Sequence, residues 1–173
     1  MFRRILSLFG GFPGEIMSHD LDRIDLEILR LLQADGRLSN IDLANQVNVS
    51  PATCHRRTQR LFAEGYIGSV RAMIAPSRVG LGAVALVGVV LDRSTPESFA
   101  MFEQAVMGLK MVLDCHLVAG DFDYLLKIRV RDLPDFNRLH AETLIALPGV
   151  RQARTFFVMK EVKDSGPLDI GCE

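Results

Sequence analysis

A cluster of positively charged and hydrogen-bonding side chains lies in the first half of the chain. From Ser50 to Arg71 there are four arginines and one acid, Glu64, a local charge of +3, whereas the chain of 173 residues carries −1 overall. Arginine and glutamine pair with the base edges of DNA, and further arginines neutralise phosphates. A helix face that only contacts solvent can have the same composition. The secondary structure around the cluster is therefore needed to decide between DNA binding and a solvated face.

Helical periodicity predicts three short helices around this cluster. In "LDRIDLEILRLLQADGR" the apolar residues recur at helical spacing, and Asp22 is placed to cap the helix. A second helix follows the cap Ser39 and is too short to be stable alone. Ser50 and Pro51 begin a third helix. Its predicted inner side comprises Cys54, Thr58, Leu61 and Phe62, and its outer side comprises Thr53, His55, Arg56, Gln59 and Arg60.

Three helices, with a tight turn between the second and the third, predict a helix-turn-helix DNA-binding domain over residues 17–76. In such domains the last helix lies in the major groove, which favours DNA recognition over a solvated face. The segment "GYIGSVRAMIAP" follows, and Ile67, Val70 and Ile74 predict a strand that forms a wing. Arg71 on this wing is available to a phosphate.

The second half of the chain, residues 77–164, predicts the element order βαββαβ. "LGAVALVGVVLD" indicates a buried strand, a helix follows Thr95, and a hairpin turns at Gly120 and Asp121. A helix with the stripe Phe136, Leu139, Thr143 and Leu147 precedes the last strand, "VRQARTFFVMKEV". This order is ferredoxin-like, so we expect an α+β protein with a winged helix-turn-helix domain and a ferredoxin-like domain.

A ferredoxin-like sheet carries its helices on one face and leaves the other face uncovered. In a module of this size an apolar uncovered face is typically buried by a second copy, which predicts a symmetric homodimer. Two copies also place two recognition helices on one duplex, so the expected partner is double-stranded DNA with a pseudo-palindromic operator.

The cysteines and the apolar runs limit where the protein can act. Three cysteines without C-x-x-C spacing indicate a reducing cytoplasm. The longest apolar run, residues 79–91, is too short to span a membrane. Residues 1–16 are predicted to be a flexible N-terminal extension, and residues 165–173 a tail.

Catalysis has no support in the sequence. No serine or cysteine is placed with a base and an oxyanion donor, so we do not expect an enzyme. His116 beside Cys115 lacks a third ligand at suitable spacing, so neither a metal nor a cofactor is predicted.

The helical segment 21–67, together with "CHLVAGDFDYLLKIRV" and "LPGVRQARTFFVMKEVK", resembles the Lrp/AsnC (leucine-responsive, feast/famine) family of bacterial transcription regulators. The resemblance implies a domain that binds DNA and a domain that dimerises, assembles further to an octamer and binds a free amino acid. Leucine or another apolar amino acid is the first expectation, then proline. The resemblance also places Ser50, Pro51, Arg57 and Arg60 on the DNA-binding helix. His55 and Arg56 depart from the pattern of the leucine-responsive members.

The segment "GDFDY" alone reads as a hairpin turn, but the resemblance implies that this loop, at an interface between dimers, holds the amino acid. An ammonium group needs a carboxylate, which Asp121 or Asp123 supplies, and the turn at Gly120 exposes backbone donors for the ligand's carboxylate. The remaining predicted effector residues are Leu117, Phe122, Tyr124 and Phe156, of which Leu117, Tyr124 and Phe156 offer an apolar wall.

Together these features predict a regulator of amino-acid metabolism genes that responds to a bound amino acid. The alternative is a stand-alone amino-acid-sensing module that controls a metabolic enzyme.

Overall fold

A computed structural model describes residues 21–170, so the predicted extension at residues 1–16 lies outside the described residues. The chain forms two units. The helical unit comprises residues 21–73 together with the C-terminal segment 163–170, and the sheet unit comprises Ile74–Val162. The unit boundary lies three residues before the predicted boundary at residue 76. The described part of the predicted tail belongs to the helical unit.

The helical unit contains the helices α1 (Arg23–Ala34), α2 (Asn40–Gln46) and α3 (Pro51–Ala63). Each helix begins where a side chain satisfies its free N–H groups. Asp22 caps α1, Ser39 caps α2 and Ser50 caps α3, with Pro51 at the first position of α3. The predicted caps are therefore confirmed, because this local chemistry does not depend on distant packing.

The core of the helical unit is small, and short helices depend on such tertiary packing for most of their stability. Its buried apolar residues are Ile28, Leu29, Leu43, Ala44, Val47, Cys54 and Leu61. The prediction that Phe62 faces inward is wrong, because its side chain is 39% exposed. Leu61, which is fully buried, occupies the inner position at this turn of α3.

The predicted wing strand is also wrong within the described residues. Residues 69–75, which follow the turn after α3, have no regular secondary structure. Val70, Met73 and Ile74 are more than half exposed. A strand needs a partner for its N–H and C=O groups. The described part of the helical unit contains no strand that could supply one.

The sheet unit begins with a short 3-10 turn, Pro76–Val79, and contains β1 (Ala83–Leu91), α4 (Pro96–Met107), β2 (Val112–Leu117), β3 (Tyr124–Val130), α5 (Leu133–Leu139) and β4 (Val150–Phe157). The strand order is β2-β3-β1-β4, and every pair is antiparallel. The predicted βαββαβ arrangement is confirmed, including the β2–β3 hairpin, in which Leu117 pairs with Tyr124.

The two faces of the sheet differ because side chains alternate along a strand. One face packs under the helices and contributes Ala85, Val87, Val89, Leu91, Tyr124, Leu126, Ile128 and Val130 to the core. The other, here called the open face, carries Leu86, Gly88, Val90, Leu125, Arg154 and Phe156. α5 continues into a π-helical turn, His140–Leu144. This turn shifts the apolar stripe, so that Leu144 is buried where Thr143 was predicted.

No helix among residues 21–170 is long and apolar enough to cross a bilayer.

Candidate DNA interface and effector loop

The exposed side of α3 carries a polar stripe, which we define as Ala52, His55, Arg56 and Gln59. All four residues are exposed and recur at helical spacing. Thr53, also predicted to face outward, is half-buried, and its hydroxyl accepts a hydrogen bond from Ser50 Oγ at 2.9 Å. The stripe therefore presents one permanent cation, one imidazole and one amide.

The start of α3 is fixed to α2 by a contact that the sequence did not suggest. Asn40 Nδ2 donates to the carbonyl oxygen of Pro51 at 2.9 Å. Ser50 Oγ accepts from the backbone N–H of Thr53 at 3.2 Å. Both contacts lie at the N-terminal turn of α3, so they orient the end of the helix that carries the polar stripe.

Arg57 and Arg60 point away from this stripe, towards α1. Asp25 is only 1% exposed, and its two oxygens accept from Arg57 Nη1 at 2.9 Å and from Arg60 Nη2 at 2.6 Å. Arg57 Nη1 also lies 2.7 Å from Asp22 Oδ2. The prediction that Arg60 looks outward is wrong, because its side chain is 35% exposed and ion-paired with Asp25.

At these contacts the pKa of Arg57 is raised and the pKa of Asp22 is lowered. Hydrogen bonds to Asp25 and then to Asp22 raise the pKa of Arg57. The backbone N–H of Asp25 is the main cause that lowers the pKa of Asp22, followed by Arg57. Both groups therefore stay charged over the physiological range. Asp25 has a structural role that the sequence did not reveal, since an acid in the first turn of a helix is already explained by the helix dipole.

The predicted effector loop, residues 118–123 and here called the effector loop, is held across the end of β1 by hydrogen bonds. Asp123 N–H donates to the carbonyl of Val89 at 2.9 Å, and Asp123 Oδ2 accepts from Leu91 N–H at 2.8 Å. The loop closes through Val118 N–H, which donates to the Asp123 carbonyl at 2.9 Å. One oxygen of Asp123 thus has a structural role, while Gly120 and Asp121 are exposed at the tip.

Phe122 lies against the open face at Gly88. A Cβ atom at Gly88 would lie 2.6 Å from the Phe122 ring, so only glycine admits this contact. The Phe122 and Phe156 rings meet edge to face with centroids 6.2 Å apart, and the Arg154 guanidinium carbon lies 6.0 Å from the Phe122 centroid. Phe122, Phe156 and Arg154 form an aromatic cluster beside the loop tip. Arg154 was missed, although its spacing of two from Phe156 indicated a shared face.

The prediction that Leu117, Tyr124 and Phe156 form one wall is wrong. Phe156 lies on the open face, whereas Leu117 and Tyr124 pack with the core under the helices. Tyr124 is 1% exposed and donates its hydroxyl to Glu103 Oε1 at 2.7 Å. Burial and this hydrogen bond raise the pKa of Tyr124, so it stays neutral. Strand alternation separates the three residues, and only Phe156 stands beside the loop.

Comparisons with known proteins assign both units. Residues 21–67 match a winged helix-turn-helix DNA-binding domain, and residues 84–168 match the Lrp/AsnC ligand-binding domain. The chain is 46% identical over 158 residues to the leucine-responsive regulatory protein of Escherichia coli K12, which covers 91% of this chain and 94% of that protein. The chain belongs to the Lrp/AsnC family.

Solved structures of similar proteins agree with this assignment. A transcriptional regulator from Neisseria meningitidis, solved as a complex with L-methionine, is 35% identical with a TM-score of 0.80, covering 86% of this chain and 97% of that one. An AsnC-family regulator from Agrobacterium tumefaciens is 30% identical with a TM-score of 0.81, covering 86% and 96%. This Lrp/AsnC protein is a DNA-binding transcriptional regulator with a ligand-binding domain.

The alternative of a stand-alone sensing module is not favoured, because the helical unit of this Lrp/AsnC regulator matches a DNA-binding domain. Among residues 21–170, no three His, Cys, Asp or Glu side chains group in a way that could hold a metal ion.

Proposed function

We propose that this chain regulates genes of amino-acid metabolism by binding a pseudo-palindromic operator in response to a free apolar amino acid. The observation that carries the proposal is the polar stripe of α3, held at its N-terminal turn by Asn40 and Ser50. Binding to chromosomal DNA places this activity in the cytoplasm.

The DNA contacts divide into two groups. His55, Arg56 and Gln59 reach the major groove from the exposed stripe and read bases there. The other predicted residues, Ser50, Pro51, Thr53, Arg57, Arg60 and Arg71, position the helix or contact phosphates. Arg57 and Arg60 belong to this second group because their side chains are engaged by Asp25. Arg71 is exposed in the segment after α3 and suits a phosphate.

Arg56→Ala tests the DNA interface. We expect the melting temperature to stay unchanged, because the side chain is exposed. If Arg56 reads a base, specificity relaxes at one operator position at a cost of about 1–3 kcal/mol. If it contacts a phosphate, binding weakens on all sequences and the salt slope falls by about 0.9 per site. Fluorescence anisotropy with labelled DNA measures both quantities.

Arg23→Ala is the matched control, because Arg23 is an exposed arginine on α1 outside the stripe. Operator binding by a folded Arg56→Ala variant as tight as that of the parent would refute the interface.

The effector lies at the tip of the loop, between Asp121 and the aromatic cluster. Asp121 and the second oxygen of Asp123 attract its ammonium group, and backbone donors at Gly120 hold its carboxylate together with Arg154. Phe122 and Phe156 contact its apolar side chain. The L-methionine complex of the Neisseria regulator supports an apolar amino acid as the effector.

Asp123→Asn separates the structural role of Asp123 from its charge. Asparagine keeps an acceptor for Leu91 N–H, so we expect the melting temperature to be unchanged. Loss of the charge weakens amino-acid binding by about tenfold or more, since hydrogen bonds to charged groups contribute about 1.5–3 kcal/mol. Calorimetry with leucine and methionine measures the affinity.

Asp92→Asn provides the control, because this exposed carboxylate follows β1 without belonging to the loop. Equal amino-acid affinity in the parent and Asp123→Asn would remove Asp123 from the site.

The proposed assembly is a homodimer that forms through the open face. These dimers assemble further to an octamer. Leu86, Val90 and Leu125 are only half-buried on this face, and Phe156 is 51% exposed. Exposed and half-buried apolar side chains of this kind suit a second copy of the sheet, although Lys127, Arg129 and Arg154 share the face. The effector loop lies beside it, so the occupancy of the loop can favour one assembly over another.

A further inference from the structure

The C-terminal segment 163–170 is held on α1, apart from the polar stripe and the effector loop. Arg30 donates to the carbonyl of Ile170 from Nε at 2.9 Å and from Nη2 at 2.6 Å. One turn further, Gln33 Oε1 accepts from Leu168 N–H at 2.8 Å, and Gln33 Nε2 donates to the Leu168 carbonyl at 3.3 Å. All four hydrogen bonds go to backbone groups, so α1 binds this segment as an extended peptide.

An apolar groove completes the site. Leu168 and Ile170 border a cavity of about 730 Å³ that Leu29, Leu32 and Tyr66 also line. Ile170 is half-buried and packs against the core of the helical unit, whereas Leu168 is 76% exposed. Ile170 is therefore the anchor, and the amide of Gln33 fixes the register two residues earlier.

We propose that residues 163–170 are a C-terminal strap that binds reversibly in this groove, with Arg30 and Gln33 as its receptor residues. The strap has no regular secondary structure, and apart from Ile170 its residues are exposed, so it can detach without unfolding either unit. Its occupant is the chain itself, because only seven residues, 163–169, connect Val162 of the sheet unit to Ile170 and keep the local concentration high.

The strap changes how the two units are linked along the chain. Residues 74–162 lie in sequence between two segments of the helical unit, so the chain passes from one unit to the other twice. With the strap bound, the helical unit holds the chain both at residue 73 and at the strap. With the strap free, it holds the chain only at residue 73. With the strap bound, the chain is therefore held by the helical unit on both sides of residues 74–162.

Amide hydrogen exchange in the full chain tests the strap. We expect the Leu168 amide to be protected about tenfold relative to an unstructured peptide, because it donates to Gln33. In Arg30→Ala/Gln33→Ala this protection is lost. Both positions are on the surface of α1 and alanine is the best helix former, so the variant keeps its fold. Arg23→Ala/Gln46→Ala, which removes an exposed arginine and an exposed glutamine elsewhere, keeps the protection.

Three outcomes overturn the proposal. The first is exchange of Leu168 at the unstructured rate in the parent. The second is protection that survives in Arg30→Ala/Gln33→Ala or disappears equally in the control. The third is protection that falls on dilution, which would assign the groove to the segment of a second copy. Protection that is independent of concentration and specific to Arg30 and Gln33 supports the strap.

Discussion

Asp25 explains why a helix rich in arginine exposes so few of them. A buried carboxylate is costly unless it is paired and hydrogen-bonded, and Asp25 meets that condition with Arg57 and Arg60. The two arginines therefore hold α3 against α1, which leaves the side chains of the polar stripe as the proposed base-reading residues. The position of α3 depends on a residue 32 places earlier in the chain.

Asp25→Asn should destabilise the helical unit by about 2 kcal/mol, because it removes the charge that two guanidinium groups share. The loss stays moderate since Arg57 and Arg60 are 19% and 35% exposed and water can solvate them. Hydrogen exchange of the buried amides of α3 measures the unfolding free energy of this unit.

Asp22→Asn is the matched control. Asparagine caps a helix as well as aspartate does, and the lost pair with Arg57 involves a side chain that is 51% exposed. We expect a change within about 0.5 kcal/mol. Equal stability of Asp25→Asn and the parent would mean that the buried ion pairs do not hold the two helices together.

The open face is the element whose burial the fold leaves incomplete. Leu125 lies in its middle, where β3 pairs with β1 opposite Gly88. Leu125→Glu should convert the assembly to monomers, since a carboxylate buried without a partner costs several kcal/mol in an apolar interface. Sedimentation velocity measures the mass. Met101→Glu, on an exposed position of α4, should leave the assembly intact. Dimers that persist in Leu125→Glu would place the interface elsewhere.

The elements show which parts of the fold were predictable from sequence. Caps at Asp22, Ser39 and Ser50 and the alternation along β3 depend on neighbours in the chain, so they were predicted correctly. The wing strand was wrong because apolar residues such as Ile67, Val70 and Ile74 form a strand only where a partner strand lies beside them. The shift from Thr143 to Leu144 could not be predicted, because the π-helical turn interrupts a regular period.

The candidate site was predictable only in part. The arginines lie on the predicted helix α3 and the loop joins β2 to β3 as predicted, but the partners of each side chain were not predicted. The pairing of Arg57 with Asp25, and the contact of Phe122 with Gly88, join residues more than 30 positions apart. Such contacts arise from tertiary packing, which periodicity does not encode.

The whole molecule combines a winged helix-turn-helix unit with a ligand-binding unit. An effector can change DNA binding only by favouring one state of the assembly over another. Such a regulator must therefore bind DNA through phosphates and bases, and the amino acid must change this affinity. Neither property alone distinguishes a regulator from a basic protein or from a simple amino-acid binder.

The most direct test is the affinity of the full chain for DNA from upstream of its own gene, measured by fluorescence anisotropy across a salt series. The series is repeated with and without leucine or methionine. We expect a log–log salt slope of about −2 if Arg71 of each copy in a dimer contacts a phosphate, and a steeper slope if further arginines do so. We also expect saturating amino acid to change the affinity about 5-fold or more at fixed salt. Binding that does not depend on salt, or an affinity that no apolar amino acid changes, would contradict the account.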